Sequence, residues 1–463
     1  MGVAERGFIS HRPPKSAGRL LRLLRLLAAV KSGAFDESVE FKPLAPATDA
    51  ALHASTLPPF MKTAHPACLL AAAALFAPAF VFSQSALDQQ LRAAIERQDV
   101  PGVVAIAGNR TGVIYQGAFG VAEATAGRAM TPDAIFRIAS MTKAITATAA
   151  MQLIEQHQLA LDDPAAKYLP ELAHPMVFES FDAATGAYQL RPAASAITVR
   201  HLFTHTSGLG YPTWSATINQ FKPRAGETYA AGPLLFDPGT QWVYGTSTDM
   251  LGKIVEKISG ETLDGYFRAH ILGPLQMNDT GYNVPAEKQA RIVNLHQRGA
   301  DGMLVEQPRK RPAVATRFGG GGGLYSTAGD YLRFLRMLLN GGELDGARIL
   351  SRESVALMGQ NQIGAVGVRA LKTAQSDHSA DLTYIDDGRD KWGLGFMITA
   401  RHVDGKRSAG SLSWGGLFNT YFWLDPARGV AGVILLQFLP FSDPQALALY
   451  TAFEREVYRM IDR

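Results

Sequence analysis

Residues 136–143 read FRIASMTK, and this stretch places a serine and a lysine at a spacing that catalysis can use. Lys143 is the only lysine in the chain with a serine, Ser140, three residues before it. Apolar side chains recur at roughly helical spacing over 144–159, so Ser140 and Lys143 are predicted to share one face of a helix's first turn. A serine hydroxyl becomes nucleophilic when a nearby base takes its proton, and a lysine at the positive end of a helix can act as that base. A capped helix with a surface lysine is the alternative for so short a motif.

The composition is that of an ordinary enzyme-sized protein, with 463 residues of which 47% are hydrophobic. The net charge of +4 raises the question of a nucleic-acid partner. However, residues 1–60 contribute +3 and Lys62 contributes +1, which leaves no net charge from residue 84 onward. We therefore expect no nucleic-acid partner. The single cysteine, Cys68, precedes the predicted mature chain, so we expect neither a disulfide nor a cysteine metal ligand.

Residues 61–83 are predicted to be a secretory signal peptide. Lys62 gives a positive start, 67–82 is an apolar run too short to span a membrane, and Ser83 ends a possible cleavage site. Residues 1–60 are then an upstream extension of the reading frame, predicted to be disordered. Alternatively, the basic segment 19–25 is an organelle-targeting helix. We expect a periplasmic or secreted protein without a stable membrane anchor after signal removal.

The remaining chain, about 86–460, is predicted to carry strands at both ends and helices between them. A helix at 86–99 precedes a hairpin of strands 103–108 and 113–117. The later predicted strands are 392–399, 411–414, 418–424 and 430–437, followed by a helix from Pro444. This order predicts one sheet completed by distant segments, with a helical insert.

Two irregular stretches interrupt this pattern. Five glycines at 319–323 lack the Gly-Lys-Ser/Thr ending of a phosphate-binding loop, so they are predicted to be a flexible return from the helical part. They lead to a predicted capping box at 327–330. Residues 361–390 are polar and are predicted to form a surface loop.

Three further stretches can surround Ser140. Tyr244 precedes a predicted helix at 248–258, capped by Ser247, and its hydroxyl can exchange protons beside a lysine. Residues 414–417 read WGGL at a strand end, where backbone amides can bind an oxyanion. Residues 205–209 read HTSGL, which we interpret as a helix end with Gly208 in the left-handed conformation. The sequence contains neither Gly-x-Ser-x-Gly nor His-Glu-x-x-His, which argues against a nucleophile-elbow hydrolase and a zinc hydrolase.

Taken in order, these motifs and GGLYST at 322–327 resemble the serine β-lactamase and penicillin-binding-protein superfamily, in particular its class C-like branch with the family VIII carboxylesterases. The resemblance implies an α/β (α+β) fold: an antiparallel sheet flanked by helices, from 86–136 and 320–460, plus an all-helical lobe at about 137–319. It implies that Ser140 is acylated and that Lys143 activates it, with Tyr244 as general base and acid. The amides of Ser140 and Leu417 would form the oxyanion hole. It further implies substrate contacts from Trp414, Gly415 and Gly416, and no cofactor or metal.

Two positions depart from the lactamase pattern. The Tyr-x-Asn motif reads YGT at 244–246, and Trp414 stands where the lactamase strand has a lysine that attracts a substrate carboxylate. We therefore expect a carboxylesterase on small uncharged esters. The alternatives are a β-lactamase or D-alanyl-D-alanine carboxypeptidase acting on amides, and a catalytically idle cell-wall-binding protein. The sequence indicates no oligomeric state.

Overall fold

The structure is a computed structural model that describes residues 85–463 except Ala230 and Arg311. The predicted upstream extension, signal peptide and targeting segment lie outside the described residues. Within them, the helices are α1 (Ala86–Glu96), α2 (Thr142–Glu155), α3 (Val199–Thr204), α4 (Ala216–Gln220), α5 (Ser247–Ser259), α6 (Leu263–Phe267), α7 (Ala328–Leu339), α8 (Arg352–Met358) and α9 (Pro444–Ile461). A short 3-10 turn, Ala139–Met141, leads into α2.

The strands of the described residues come from both ends of the chain and from its middle. They are β1 (Gly102–Asn109), β2 (Val113–Glu123), β3 (Arg128–Ala129), β4 (Phe136–Arg137), β5 (Met176–Phe181), β6 (Tyr188–Pro192), β7 (His296–Arg298), β8 (Leu304–Glu306), β9 (Tyr325–Ser326), β10 (Glu343–Leu344), β11 (Ala347–Arg348), β12 (Lys391–Trp392), β13 (Met397–Ile398), β14 (Leu412–Gly416), β15 (Thr420–Asp425), β16 (Val430–Leu435) and β17 (Phe438–Leu439).

The main sheet of the described part has eight strands in the order β12-β13-β14-β15-β16-β1-β2-β3, all paired antiparallel. The N-terminal hairpin joins the C-terminal strands through β1 and β16, where Val104 lies opposite Leu435. The prediction of one sheet completed by distant segments is therefore confirmed.

Helices cover both faces of this sheet. Because successive strand residues point to opposite faces, Phe422 contacts Tyr331 of α7, with ring centroids 5.2 Å apart. Its neighbour Tyr421 stacks on Tyr450 of α9 at 4.9 Å. The predicted fold class, an antiparallel sheet flanked by helices, is confirmed. The middle of the chain adds the hairpin β5–β6 to its helices, so this part is not entirely helical.

Polar caps fix two of the helices that pack on the sheet. Asp443 accepts hydrogen bonds from the amides of Gln445 and Ala446 at the start of α9. Pro444 occupies the first turn, where no backbone donor is needed. The Thr327 side chain accepts from the Asp330 amide at 3.1 Å and so caps α7. The Asp330 side chain accepts from the Asp279 amide at 2.8 Å and does not return a bond to Thr327, so only half of the predicted capping box forms.

Several predicted local features differ in the structure. The expected strand 392–399 is the hairpin β12–β13, because Gly395 has φ +96° and a Cβ there would lie 2.4 Å from the Ala147 side chain. Residues 361–390 are irregular as predicted, yet Val368 and Leu382 are fully buried, so this segment packs onto the core. These contacts arise between distant segments, which local sequence patterns do not report.

Two predicted helix ends also need correction. Ser247 lies inside the first turn of α5, where its hydroxyl bonds to that of Ser207 at 2.8 Å, so it does not cap the helix. The left-handed residue that ends α3 is His205 itself, with φ +57°. Gly208 is also left-handed, three residues later, at φ +87°.

Candidate active site

Ser140 lies at the point where β4 turns into α2. The preceding residue, Ala139, has φ +44°, a region that residues with a Cβ seldom adopt. This turn places Ser140 on the wall of a cavity of about 370 Å³. Backbone strain beside a reactive side chain is common at catalytic sites, where the surrounding structure holds it.

Lys143 is next to Ser140 and almost completely buried, at 1% exposure. Its Nζ lies 3.2 Å from Ser140 Oγ, 3.2 Å from the Tyr211 hydroxyl and 2.7 Å from the Gly321 carbonyl oxygen. No carboxylate of the described residues forms an ion pair with it. The structure thus brings Ser140 and Lys143 together as predicted, and their catalytic roles stay a prediction.

Tyr211 and Asp249 complete a chain of hydrogen bonds that the sequence did not reveal. The Tyr211 hydroxyl donates to Asp249 Oδ2 at 3.2 Å. Burial raises the pKa of Tyr211 well above its ordinary value, and the neighbouring Asp249 charge raises it further, so the phenol keeps its proton. Because that proton points to Asp249, the Tyr211 oxygen is left to accept a hydrogen from Lys143.

The hydrogen-bond partners of Lys143 limit where its nitrogen can take up a proton. The Gly321 carbonyl can only accept, and the Tyr211 oxygen accepts as well, so two amine hydrogens have fixed partners. Lys143 Nζ donates to Ser140 Oγ as well, at 3.2 Å. When the amine is neutral, its two hydrogens stay with the other two partners and its lone pair faces the Ser140 hydroxyl. The geometry suits Lys143 as the proton acceptor from Ser140.

The glycine run 319–323 is a fixed part of the site, so the prediction of a flexible return is wrong. The Gly320 carbonyl accepts from Thr146 at 2.7 Å, and the Gly321 amide donates to Asp249 Oδ1 at 2.9 Å. A Cβ on Gly321 would lie 2.4 Å from Asp249 Oδ2 and 2.8 Å from the Tyr211 oxygen. Glycine is required there because the loop passes directly against the Tyr211–Asp249 pair. The glycine run itself was the sequence signal for this close approach.

Tyr244 lies close to Lys143, but it is the tyrosine ring and not the hydroxyl group that faces the lysine. Lys143 Nζ is 4.7 Å from the Tyr244 ring centroid, and the Tyr244 hydroxyl accepts a hydrogen bond from Trp414 Nε1 at 3.0 Å. Among the described residues it forms no hydrogen bond with Ser140 or Lys143. The acid–base role of Tyr244 therefore stays a prediction.

Of the four residues predicted to bind the oxyanion or substrate, Leu417 lines the cavity with Ser140. Trp414 is 4% exposed and packs on Trp392 at 4.7 Å between ring centroids. A Cβ on Gly416 would lie 2.2 Å from the Ile138 carbonyl oxygen, so this glycine lets β14 approach the protein's own backbone. Neither Trp414, Gly415 nor Gly416 lines the cavity, and their substrate contacts are not supported by this geometry.

His205 lies behind the site and is 1% exposed. Its Nδ1 accepts from the Gly245 amide at 3.4 Å, and its ring lies 4.8 Å from that of Tyr244. Burial lowers the pKa of His205 well below its ordinary value, and the Lys143 charge lowers it further. His205 is therefore neutral in the folded protein near pH 7, and it has a structural position behind the reactive groups.

This burial predicts a pH-dependent loss of stability. Because the folded-state pKa of His205 lies below the unfolded value of about 6.5, only the unfolded chain gains the proton as pH falls below about 6.5. The free energy of unfolding should then fall by up to about 1.4 kcal/mol per pH unit from this group. Urea unfolding of wild type and His205→Gln between pH 5 and 7.5 measures the slope. The variant should show the smaller slope, and equal slopes would contradict the prediction.

A larger cavity, of about 610 Å³, lies elsewhere in the described part and does not include Ser140. Its buried charges neutralise each other, since Arg407 Nε bonds to Glu454 Oε1 at 2.6 Å. The described residues contain no cluster of three or more His, Cys, Asp or Glu side chains placed to hold a metal ion. No helix among them is long and apolar enough to cross a membrane.

The sequence model of the beta-lactamase family matches residues 87–454, which include every group of the site. The chain belongs to the β-lactamase family of serine hydrolases. Monacolin J acid methylbutanoyltransferase of Aspergillus terreus is 30% identical to this hydrolase over 400 residues, covering 80% of this chain and 95% of that protein. Esterase EstB of Burkholderia gladioli is 29% identical over 428 residues, covering 83% and 99%.

A comparison with solved structures finds the same kind of relative. The LovD6 mutant of simvastatin synthase from Aspergillus terreus superimposes on this family member with a TM-score of 0.69 at 28% identity, covering 81% of this chain and 96% of that one. Relatives with esterase and acyltransferase activity support a carboxylesterase-like serine hydrolase.

Proposed function

We propose that the protein is an exported carboxylesterase that forms an acyl-enzyme at Ser140 and accepts small esters with an uncharged acyl group. The observation that carries the proposal is the 3.2 Å contact between Lys143 Nζ and Ser140 Oγ at the wall of the 370 Å³ cavity. Apolar residues such as Leu324, Leu417 and Phe418 line that cavity and suit an uncharged acyl chain.

In the proposed reaction the proton of Ser140 passes to Lys143 as the serine oxygen bonds to the ester carbonyl carbon. The negative carbonyl oxygen is stabilised by the amides of Ser140 and Leu417. The ester bond then breaks, and the departing alcohol takes a proton from Lys143 or Tyr244. Water attacks the acyl-serine, gives a proton to the same groups and releases the acid, which restores the Ser140 hydroxyl.

The relatives favour a second candidate, acyl transfer to an alcohol. Monacolin J acid methylbutanoyltransferase is named for moving an acyl group to a small molecule, and the match covers 95% of that protein. Transfer and hydrolysis share the acyl-enzyme and differ in whether an alcohol or water resolves it. Adding a short alcohol during turnover and measuring the new ester against free acid separates them. A majority of new ester at millimolar alcohol would favour the transferase.

A substrate panel tests the main proposal. Short p-nitrophenyl esters, nitrocefin and a D-Ala-D-Ala peptide are offered to wild type and to Ser140→Ala. We expect the esters to be hydrolysed fastest, and acid-quenched wild type to gain the acyl mass on the peptide that contains Ser140. Preference for nitrocefin or the peptide would favour the β-lactamase or carboxypeptidase alternative. No turnover of any compound would favour the idle cell-wall-binding alternative.

Export is proposed from the sequence of residues 61–83. Expression of the full chain, cell fractionation and N-terminal sequencing of the mature protein test it. We expect a periplasmic or secreted product that begins near residue 84, and a cytoplasmic product that begins before residue 60 would contradict the proposal.

A further inference from the structure

Among the residues that line the cavity with Ser140, Arg137 is the one that carries a charge. The other lining residues are uncharged, and the raised pKa of Tyr211 keeps that phenol neutral as well. The lining therefore includes one cation, Arg137, three residues before Ser140, and no carboxylate.

Hydrogen bonds hold the Arg137 backbone in place, whereas its guanidinium has no partner among the described residues. Its amide donates to the Gln437 side chain at 2.8 Å, and Arg137 lies opposite Tyr325 in the β4–β9 pair. Among the described residues no carboxylate forms an ion pair with the guanidinium, and no side chain or carbonyl accepts a hydrogen bond from it. Most arginines of the described part that are likewise partly buried do have such partners, as Arg291 has with Asp279 at 2.7 Å.

An unpaired guanidinium in a mostly apolar cavity favours a particular ligand. Its planar fork matches a carboxylate, with which it forms two parallel charge-assisted hydrogen bonds. The expectation of wholly uncharged substrates relied on Trp414 standing where related enzymes have a lysine. The cavity lining contains another cation, Arg137. A substrate carboxylate therefore still has a positively charged partner, although the lysine is missing.

We propose that Arg137 binds a carboxylate on the alcohol part of the ester, so that the natural substrates are esters of hydroxy acids. This inference rests on the proposed function, which assigns the apolar wall at Leu417 and Phe418 to the acyl group. The alcohol part then remains to pair with Arg137. Release of the hydroxy acid carries the anion away from the acyl-serine before water attacks.

Matched esters test this proposal. The butyryl ester of 4-hydroxyphenylacetic acid is compared with the butyryl ester of its methyl ester, which has the same leaving phenol without the charge. We expect kcat/KM to be about 10- to 100-fold higher for the carboxylate, mostly through KM, the range typical of a charged hydrogen bond. In Arg137→Met this ratio should fall towards one, and Arg137→Lys should keep part of it.

Arg92→Met is the matched control, since Arg92 is exposed on α1 and does not line the cavity. The ratio of kcat/KM between the two esters should be the same in this variant as in wild type. An equal rate for the two wild-type esters, or the same ratio in Arg137→Met as in wild type, would overturn the proposal. A preference for 4-nitrophenyl hydrogen succinate over its methyl ester, with none in the phenylacetate pair, would place the carboxylate on the acyl part and also overturn it. Turnover of neutral esters in any of these cases keeps the proposed esterase function intact.

Discussion

Replacing Ser140 by alanine is expected to abolish ester hydrolysis, with kcat falling on the order of 10³- to 10⁶-fold, because the variant lacks the proposed nucleophile. Lys143→Met should cost a similar factor, since its Nζ is the amine that contacts Ser140 Oγ. The effects of substituting two groups that act together are not additive, so kcat of the double variant should be about as low as that of either single variant.

The measurement is kcat for a short p-nitrophenyl ester, together with the mass of acid-quenched enzyme. Ser180→Ala is the matched control, because Ser180 is exposed on β5 and outside the cavity. Thermal unfolding and circular dichroism establish that each variant is folded. Retention of more than a tenth of wild-type activity by Ser140→Ala would rule out Ser140 as the nucleophile.

The two tyrosines around Lys143 should differ in how much they contribute. Tyr244→Phe is expected to lower kcat by about 10²- to 10⁴-fold, the range for a lost general acid or base. Its hydroxyl bonds to Trp414 in the free protein, yet catalytic hydrogen bonds often form only when substrate is bound. Tyr211→Phe should cost about 10-fold, because Lys143 keeps its contacts with Ser140 and Gly321.

Pre-steady-state kinetics with a p-nitrophenyl ester assigns these losses to acylation or to deacylation. Tyr168→Phe serves as the control, since Tyr168 bonds to Asp163 and lies outside the cavity. A greater loss in Tyr211→Phe than in Tyr244→Phe would transfer the acid–base role to Tyr211. In that case Asp249→Asn should lower kcat as well, because Asp249 holds the Tyr211 proton.

Local sequence patterns were sufficient to predict much of the fold. The predicted hairpin at Asn109, the helix after Ser140, the helix that follows Asp443 and the joining of both chain ends in one sheet are all present. Apolar spacing and helix caps act over a few residues, so they can be recognised without knowledge of tertiary contacts.

The site was predictable only where its groups are neighbours in sequence. Ser140 and Lys143 are one helical turn apart, whereas Tyr211, Asp249 and Gly321 come from three separate segments. Their roles depend on distances that exist only after folding. The same limitation applies to Trp414, whose strand motif gave no indication that its side chain packs under Tyr244.

The pairing of β1 with β16 has a consequence for how the protein is made. β1 lies between β2, which follows it directly in the chain, and β16, which is synthesised near the end. Until β16 has left the ribosome, one edge of β1 has no partner, so the sheet cannot close during most of translation. The complete sheet, and with it the folded state, therefore forms only when synthesis is nearly complete. Premature termination before residue 430 would leave that edge open to aggregation.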